Sequence, residues 1–205
     1  WELATGCALA SLEGHTRGVT ACAVTPDGRR VVSASEDQTL KVWELASGRA
    51  LASLAGHTQG VGACAVTPNG RHVVSASDDQ TLKVWELTTR RARASRAGHT
   101  QGVSACAVMP DGRHVVSASD DQTLKVWELA TGRARASVVG HPRGVTTCAV
   151  TPDGQHVISA SRDQTLKVWE LATGRALASL AGHPRGVHAC AVTPDGRHVV
   201  SASFD

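Results

Sequence analysis

The sequence predicts an all-β protein assembled from copies of one small supersecondary unit, and three observations lead to this. The tryptophans, Trp1, Trp43, Trp85, Trp127 and Trp169, follow one another at intervals of 42 residues. The surrounding residues repeat nearly letter for letter, as in LKVWELASGRA (40–50) and LKVWELATGRA (166–176). Within each period, short β-prone runs alternate with turn signals. A strict period of roughly 20–50 residues is typical of stacked repeat architectures.

One unit, Gly14 to Leu54, shows four strands in order. GVTACAV (18–24) is β-prone, and TPDG (25–28) is a turn in which Pro presets φ, Asp bonds back to the backbone and Gly accepts a positive φ. RRVVSAS (29–35) and TLKVWEL (39–45) are the next strands, separated by the polar turn EDQ. RALASLAG (49–56) is a fourth strand, because its place between two turns overrides the helical preference of Ala and Leu. This order predicts an antiparallel meander.

A single four-stranded sheet of this composition cannot bury both of its faces. Stacking copies face to face buries them, and curving the stack into a ring protects both ends, which predicts a β-propeller of four-stranded antiparallel blades. A parallel β-helix also stacks β-repeats, but its coils are shorter and lack four hairpin-type turns. We divide the single segment 1–205 into units 1–42, 43–84, 85–126, 127–168 and a truncated 169–205.

Composition and chain ends limit the classes of protein that fit. No run of about 18 apolar residues is present, so we expect no membrane span. The net charge of +3 is spread over every unit, which disfavours a nucleic-acid-binding stripe. The chain starts at Trp1 inside a unit, without an initiating Met, and stops at Asp205. We therefore expect a part of a longer protein, or a processed or engineered piece.

Each unit carries a Gly-His pair and, later, a Trp-acidic pair, here Trp-Glu. The Gly-His pairs are Gly14-His15, Gly56-His57, Gly98-His99, Gly140-His141 and Gly182-His183. Together with VVSAS-x-D and a Trp six residues after that Asp, they resemble the WD-repeat propellers over the whole chain. The Glu in place of the eponymous Asp is a mild departure. The near-identity of the units resembles recently amplified bacterial arrays. The resemblance implies a propeller of about five WD repeats.

His, Ser, Asp and Trp recur at fixed register in each unit. A Ser-His-Asp catalytic triad is the tempting interpretation, but five copies have no catalytic logic and no nucleophile elbow accompanies them. The resemblance implies structural tetrads instead, in which Asp, His, Ser and the Trp indole are linked by hydrogen bonds. The predicted tetrads are His15, Ser33, Asp37, Trp43; His57, Ser75, Asp79, Trp85; His99, Ser117, Asp121, Trp127; His141, Ser159, Asp163, Trp169; and His183, Ser201, Asp205 with Trp1, if the ring closes.

No catalytic, cofactor-binding or metal-binding residue is predicted. CxxC and HxxxH spacings, GxxxxGK[ST] and GxGxxG are all absent. Cys22, Cys64, Cys106, Cys148 and Cys190 share one register, and stacked sheets lie about 10 Å apart, too far for a disulfide. We expect buried free thiols and, from them, a reducing cytoplasm.

Variation between units gathers in the loops that join strand four to strand one and strand two to strand three. Both loops emerge at one end of a meander, which we call the loop rim. Neutral drift of exposed residues is one interpretation of this variation. The other is a partner-binding surface. The glycines at 18, 60, 102, 144 and 186 count against the second interpretation, because many WD repeats carry a bulky residue there. The candidate partner-binding residues are Arg17, Thr20, Glu36, Gln59, Asp78, Gln101, Asp120, Arg143, Arg162, Arg185, His188 and Phe204.

The opposite end, which we call the turn rim, carries the TPDG turns with flanking Arg and His residues, and we expect a solvated basic face there. The whole pattern favours a non-catalytic protein–protein interaction scaffold or sensor module within a larger protein, with a protein or peptide on the loop rim. The alternative is a purely architectural amplified repeat that closes or oligomerises through like blades, with no dedicated ligand. We expect neither a membrane nor a nucleic acid as a partner, and open blade edges make a homo-oligomer possible.

Overall fold

A computed structural model describes residues 1–205 and consists of strands, turns and loops. None of its elements is a helix that is long and apolar enough to cross a membrane. The eighteen strands are β1 (Val19–Val24), β2 (Arg30–Ser35), β3 (Thr39–Glu44), β4 (Ala50–Ala55), β5 (Val61–Val66), β6 (His72–Ser77), β7 (Thr81–Glu86), β8 (Arg91–Ala97), β9 (Val103–Val108), β10 (His114–Ser119), β11 (Thr123–Glu128), β12 (Ala134–Val139), β13 (Val145–Val150), β14 (His156–Ser161), β15 (Thr165–Glu170), β16 (Ala176–Ala181), β17 (Val187–Val192) and β18 (Val199–Ser203).

The strands form four antiparallel meanders and one two-stranded sheet, which confirms the predicted all-β array. We call them blades 1 to 5: β1–β4, β5–β8, β9–β12, β13–β16 and β17–β18. Each blade begins at its first strand, so the 42-residue period is kept while the blade boundaries differ in phase from our Trp-based units. The fourth segment is a strand in every complete blade, because pairing with the third strand decides its conformation over local helical preference.

The hydrophobic core lies between the blades rather than within any one of them. The first strands of successive blades pack on one another, β1 on β5, β5 on β9, β9 on β13 and β13 on β17. Between blades 1 and 2, for example, Leu40 and Leu54 of blade 1 form one buried cluster with Val61 and Trp85 of blade 2. Each blade therefore completes its core with side chains of its neighbour, which is the physical reason for the stack.

Candidate functional site: buried tetrads and the loop rim

The second unit shows the geometry of the His-Ser-Asp-Trp group most clearly. Nδ1 of His57 lies 2.8 Å from Oδ2 of Asp79, and its Nε2 lies 2.7 Å from Oγ of Ser75. The Trp85 indole N–H donates to the same serine oxygen at 2.8 Å. With Nδ1–H donating to the carboxylate, Nε2 is left to accept the serine proton. Every polar side-chain atom in this hydrogen-bond network, from the carboxylate to the indole, therefore has a partner, as a buried network requires.

The carboxylate of Asp79 is held by more than the imidazole. Its Oδ1 accepts from the backbone N–H and the hydroxyl of Thr81, at 3.0 and 2.6 Å, and its Oδ2 accepts from the N–H of Thr58 at 3.1 Å. Burial acts to raise the pKa of Asp79, but these hydrogen bonds outweigh it and hold the pKa below its usual value. Burial lowers the pKa of His57, so the imidazole is neutral at neutral pH.

Three further units repeat this arrangement. The His Nε2 to Ser Oγ and Trp Nε1 to Ser Oγ distances are 2.7 and 2.8 Å in the sets of His15, His99 and His141. The His-to-Asp distances lie at 2.7 or 2.8 Å. In the fourth unit Pro142 stands where Thr58 donates in the second, so Asp163 receives one backbone hydrogen bond fewer. Ser75, Ser117 and Ser159 are fully buried, so no solute reaches their hydroxyls in the folded chain.

The fifth set is incomplete. His183 lies 3.0 Å from Asp205 and 2.9 Å from Ser201, but no indole reaches this serine. Trp1, which we expected to donate here upon ring closure, is 84% exposed, and residues 1–18 form no strand. That expectation is wrong for this structure, because the first and last blades do not meet and the Trp ring has no neighbouring sheet against which to pack.

The glycine of the Gly-His pair makes room for the tryptophan. A Cβ at Gly140 would lie 2.6 Å from Cη2 of Trp169, and one at Gly98 would lie 2.9 Å from Cη2 of Trp127. Real Cβ contacts are never this short. The pair therefore has a joint packing role, in which the glycine admits the indole and the histidine anchors its serine partner.

The loop rim brings variable side chains of successive blades into one row. Backbone of Glu36, Asp78, Asp120 and Arg162 packs against the glycine that opens the next blade's first strand, with Cα lying 3.1–3.5 Å from the position of a glycine Cβ. Gly60 and its counterparts in blades 3 to 5 thus bring neighbouring blades close together. All twelve predicted rim residues are exposed except the half-buried Asp120.

Charge along this row changes sign between blades 3 and 4. Partial burial, with the nearby carboxylates of Asp120, Asp79 and Glu36, raises the pKa of Asp78. Asp120 pairs with Arg162 at 3.3 Å. Further along, the guanidinium of Arg185 donates to the carbonyl of Phe204 at 3.3 Å.

One predicted rim residue has an internal role that the sequence did not suggest. Thr20 lies at a β-bulge of β1, and its hydroxyl donates to the carbonyl of Val61 in the next blade at 2.5 Å. Ser104 and Thr146 repeat this bond to Val145 and Val187 at 2.6 and 2.5 Å. At the same register His188 instead packs its ring on Phe204, with centroids 4.0 Å apart. Thr20 thus joins blades 1 and 2.

The core also contains an arginine that we did not predict from the sequence. Arg96 of β8 is 2% exposed and stands where other units carry Leu12, Leu54, Val138 or Leu180. Its Nη2 donates to the carbonyl of Leu129 at 2.6 Å, whereas its Nε and Nη1 have no partner. Burial lowers the pKa of this guanidinium. The sequence does contain a signal for this buried arginine, since Arg interrupts an otherwise apolar register in one unit only.

The thiols of the shared cysteine register act as weak donors between blades. Sγ of Cys64 lies 3.6 Å from the carbonyl of Val32 in the preceding blade, and Cys106 and Cys148 repeat this contact. Burial raises the pKa of the Cys64 thiol to about 12. All six cysteines are free. Of the shared register only Cys148 is buried as expected, because Cys64, Cys106 and Cys190 are half-buried and Cys22, on the outer face of blade 1, is exposed.

The structure is a stack of four-stranded meanders, and each meander contains a buried His-Ser-Asp-Trp network. These two features define a repeat protein of the β-propeller type. The family model for the WD domain, G-beta repeat, matches residues 6–44, 48–86, 91–128, 132–170 and 174–205. The chain therefore belongs to the WD40 repeat family, as its sequence motifs indicated. No individual curated protein matches the chain.

Each of the second to fifth family matches takes in the last strand of one blade and the first two or three strands of the next, so every such repeat ties two blades together. WD40 repeats generally mediate protein–protein interactions, and their propellers are typically non-catalytic scaffolds. The structure places no group of three or more His, Cys, Asp or Glu side chains where they could hold a metal ion.

Proposed function

We propose that this chain is a non-catalytic protein–protein interaction scaffold or sensor module, part of a larger protein, that binds a protein or peptide on its loop rim. One observation carries the proposal. Side chains that differ between units, Glu36, Asp78 and Asp120 followed by Arg162, form a continuous row although they are 42 residues apart in sequence. Neutral drift alone gives no reason for the acidic side chains of this row to lie on blades 1 to 3 while Arg143, Arg162 and Arg185 lie on blades 4 and 5, with Arg17 on blade 1 as the exception.

The charges of this row favour a polar partner of mixed charge. Neither Glu36 nor Asp78 has an ion-pair partner within the chain, and the exposed guanidinium groups of Arg143 and Arg185 are also free of carboxylates. A partner segment with a basic and an acidic end would complement the two halves. Rim charges of this kind control association rate and specificity more than they contribute raw affinity.

We infer that the chain uses no cofactor or metal and catalyses no reaction. The support is chemical: the only repeated Ser-His-Asp geometry has a buried serine whose oxygen accepts from an indole. The free thiols support a reducing, cytoplasmic setting, and the near-identical units support a bacterial origin. Neither a nucleic acid nor a membrane is a proposed partner.

Capture from a lysate of the source organism, followed by binding measurements with the purified partner, tests the proposal. The rim variant carries Arg143→Glu, Arg162→Glu and Arg185→Glu. Its matched control carries Arg71→Glu, Arg113→Glu and Arg197→Glu, the same charge change on the turn rim. We expect the partner to be lost by the rim variant and retained by the control. Absence of any partner, or equal retention by both variants, would contradict the proposal.

A second candidate, a purely architectural repeat that joins like blades, has one specific observation in its favour. Val200 is 63% exposed, whereas its counterparts Val32, Val74, Val116 and Ile158 are at most 2% exposed. The free face of blade 5 is therefore complementary to a further blade of the same kind, within a ring or in a second copy. Solution mass measurement discriminates: a defined oligomer that binds no partner favours the architectural role.

A further inference from the structure

A cleft of about 790 Å³ opens between blades 1 and 2 at the turn rim. Its floor is apolar and includes Val42, Leu51 and Leu87, while Arg29 and Arg30 lie on the blade 1 side and Arg90 on the blade 2 side. This volume lies within the range of small-molecule sites, which combine an apolar lining with a few polar groups. The tetrads and the loop rim make no use of this cleft.

Two of these arginines are departures from the repeat. Arg30 stands where the other units have His72, His114, His156 and His198, and Arg90 stands where they have Gly6, Gly48, Gly132 and Gly174. Thr88, which replaces an alanine of the other units, lines the same cleft. These changes occur in different blades, yet the fold brings them to one place.

Arg90 is held in a backbone conformation that its side chain disfavours. Its φ is +60°, in the left-handed region that glycine occupies at this turn in the other units. A non-glycine residue is strained there, and such strain gathers at sites of function. The guanidinium of Arg90 forms no ion pair within the chain that would offset this strain.

The equivalent groove between blades 3 and 4 provides an internal comparison. It measures about 430 Å³, and one carboxylate, one imidazole and one guanidinium line it. There His114 lies 2.6 Å from Asp111, and Arg135 lies 3.2 Å from the same imidazole. In the blade 1–2 cleft neither Arg29 nor Arg30 has an acidic partner at ion-pair distance. The larger cleft therefore has three guanidinium groups against one carboxylate, whereas its counterpart has one of each.

We propose that the cleft between blades 1 and 2 binds a small phosphate monoester whose organic group is apolar. Three arginines and Glu44 line it, which gives a net charge of +3 − 1 = +2. A phosphate monoester has a charge of about −1.5 to −2 at neutral pH, so it matches this balance better than a singly charged carboxylate. One guanidinium can donate two parallel hydrogen bonds to phosphate oxygens, and the free Thr88 hydroxyl offers another donor. The apolar floor of the cleft would contact the organic group.

Isothermal titration calorimetry of the folded chain at low ionic strength tests this site with phenyl phosphate, inorganic phosphate and phenylacetate. The test variants are Arg90→Gly and Arg30→His, which introduce residues that the other units already carry, so both should fold. Arg135→Leu, which introduces a residue that other units carry, changes the groove between blades 3 and 4 and is the control. Thermal melts verify that each variant is folded.

We expect saturable binding of phenyl phosphate, weaker binding of the other two probes, and a Kd at least about tenfold higher in both test variants. The control should bind as the parent does. No binding of phenyl phosphate, equal affinity for phenylacetate or inorganic phosphate, or unchanged affinity in both test variants would overturn the proposal. Since the loop rim lies at the other end of the blades, none of these results bears on the proposed scaffold function.

Discussion

Gly62 is the one position where the hydroxyl bond between complete neighbouring blades is missing, and Gly62→Ser should restore it. Thr20, Ser104 and Thr146 each bond to the next blade at this register. The corresponding acceptor for residue 62 is the carbonyl of Val103, which lies 3.7 Å from the position of a Cβ. No backbone atom lies closer than 3.5 Å to that Cβ, and the φ of Gly62 is not positive. A serine therefore fits without strain.

The magnitude follows from two contributions. A net hydrogen bond stabilises by about 1 kcal/mol, and replacing a glycine in a compatible conformation adds about 0.4–1 kcal/mol through the unfolded state. Their sum, about 1.4–2 kcal/mol, corresponds to a rise in Tm of about 3–8 °C for a chain of this length.

Thermal melts and urea titrations of Gly62→Ser, Gly62→Ala and the parent measure the effect. Gly62→Ala contains only the unfolded-state contribution, so it should gain about 0.4–1 kcal/mol. In the reverse direction, Ser104→Ala should lose about 1 kcal/mol. The reasoning fails if the serine and alanine variants at position 62 are equally stable.

Four further outcomes follow from the same structure. Trp85→Ala should destabilise by about 3–5 kcal/mol through the cavity it leaves, and Asp79→Ala by about 1–3 kcal/mol because His57 loses its partner; urea titrations that match the parent in both would disprove the tetrad. Burial lowers the pKa of His57, His99 and His141 in the folded chain, so the unfolded chain binds protons more readily. The free energy of unfolding should therefore be independent of these histidines above about pH 6.5 and decline as the pH falls below it. Thermal melts across pH 5–8 will check this. Arg96→Leu should stabilise by about 1–3 kcal/mol, since it removes a buried charge with two unpaired nitrogens, and a loss of stability would contradict this. A thiol reagent at pH 7.5 should label the exposed Cys7 and Cys22 quickly and the other four much more slowly until the chain is denatured, because burial raises the pKa of their thiols; labelling of Cys106 as fast as Cys22 would refute this.

The tetrads were predictable because the residues at these fixed registers resemble the WD-repeat propellers, and that resemblance implies the linked Asp, His, Ser and Trp. Repetition turns a single His, Ser or Asp into a structural position, and the chemistry of a buried indole requires an acceptor. The fifth tetrad shows the limit of this argument. Its His183 and Asp205 lie close together as expected. Whether Trp1 reaches them depends on the curvature of the whole stack of blades, which no local sequence pattern predicts.

The role of Thr20 and the placement of Arg30 beside Arg90 could not be predicted in the same way. Thr20 varies between units like an exposed loop residue, and only the packing of the next blade reveals its acceptor. Arg30 and Arg90 each look like an isolated departure in sequence. Their meeting depends on the distance between two blades and on the direction of two turns.

The amino-acid pattern alone was enough to predict the period, the four strands of each unit, the family and the members of the tetrads. All of these depend on local pattern and on repetition, since a strand's pairing partner here lies one turn away along the chain. The tertiary structure decided which of the varied residues act between blades, that Trp1 remains exposed, and that a cleft with unpaired arginines lies between blades 1 and 2. Those outcomes depend on how neighbouring blades pack. Small differences in side-chain volume and charge matter there, and the distances between residues of different blades cannot be read from the sequence.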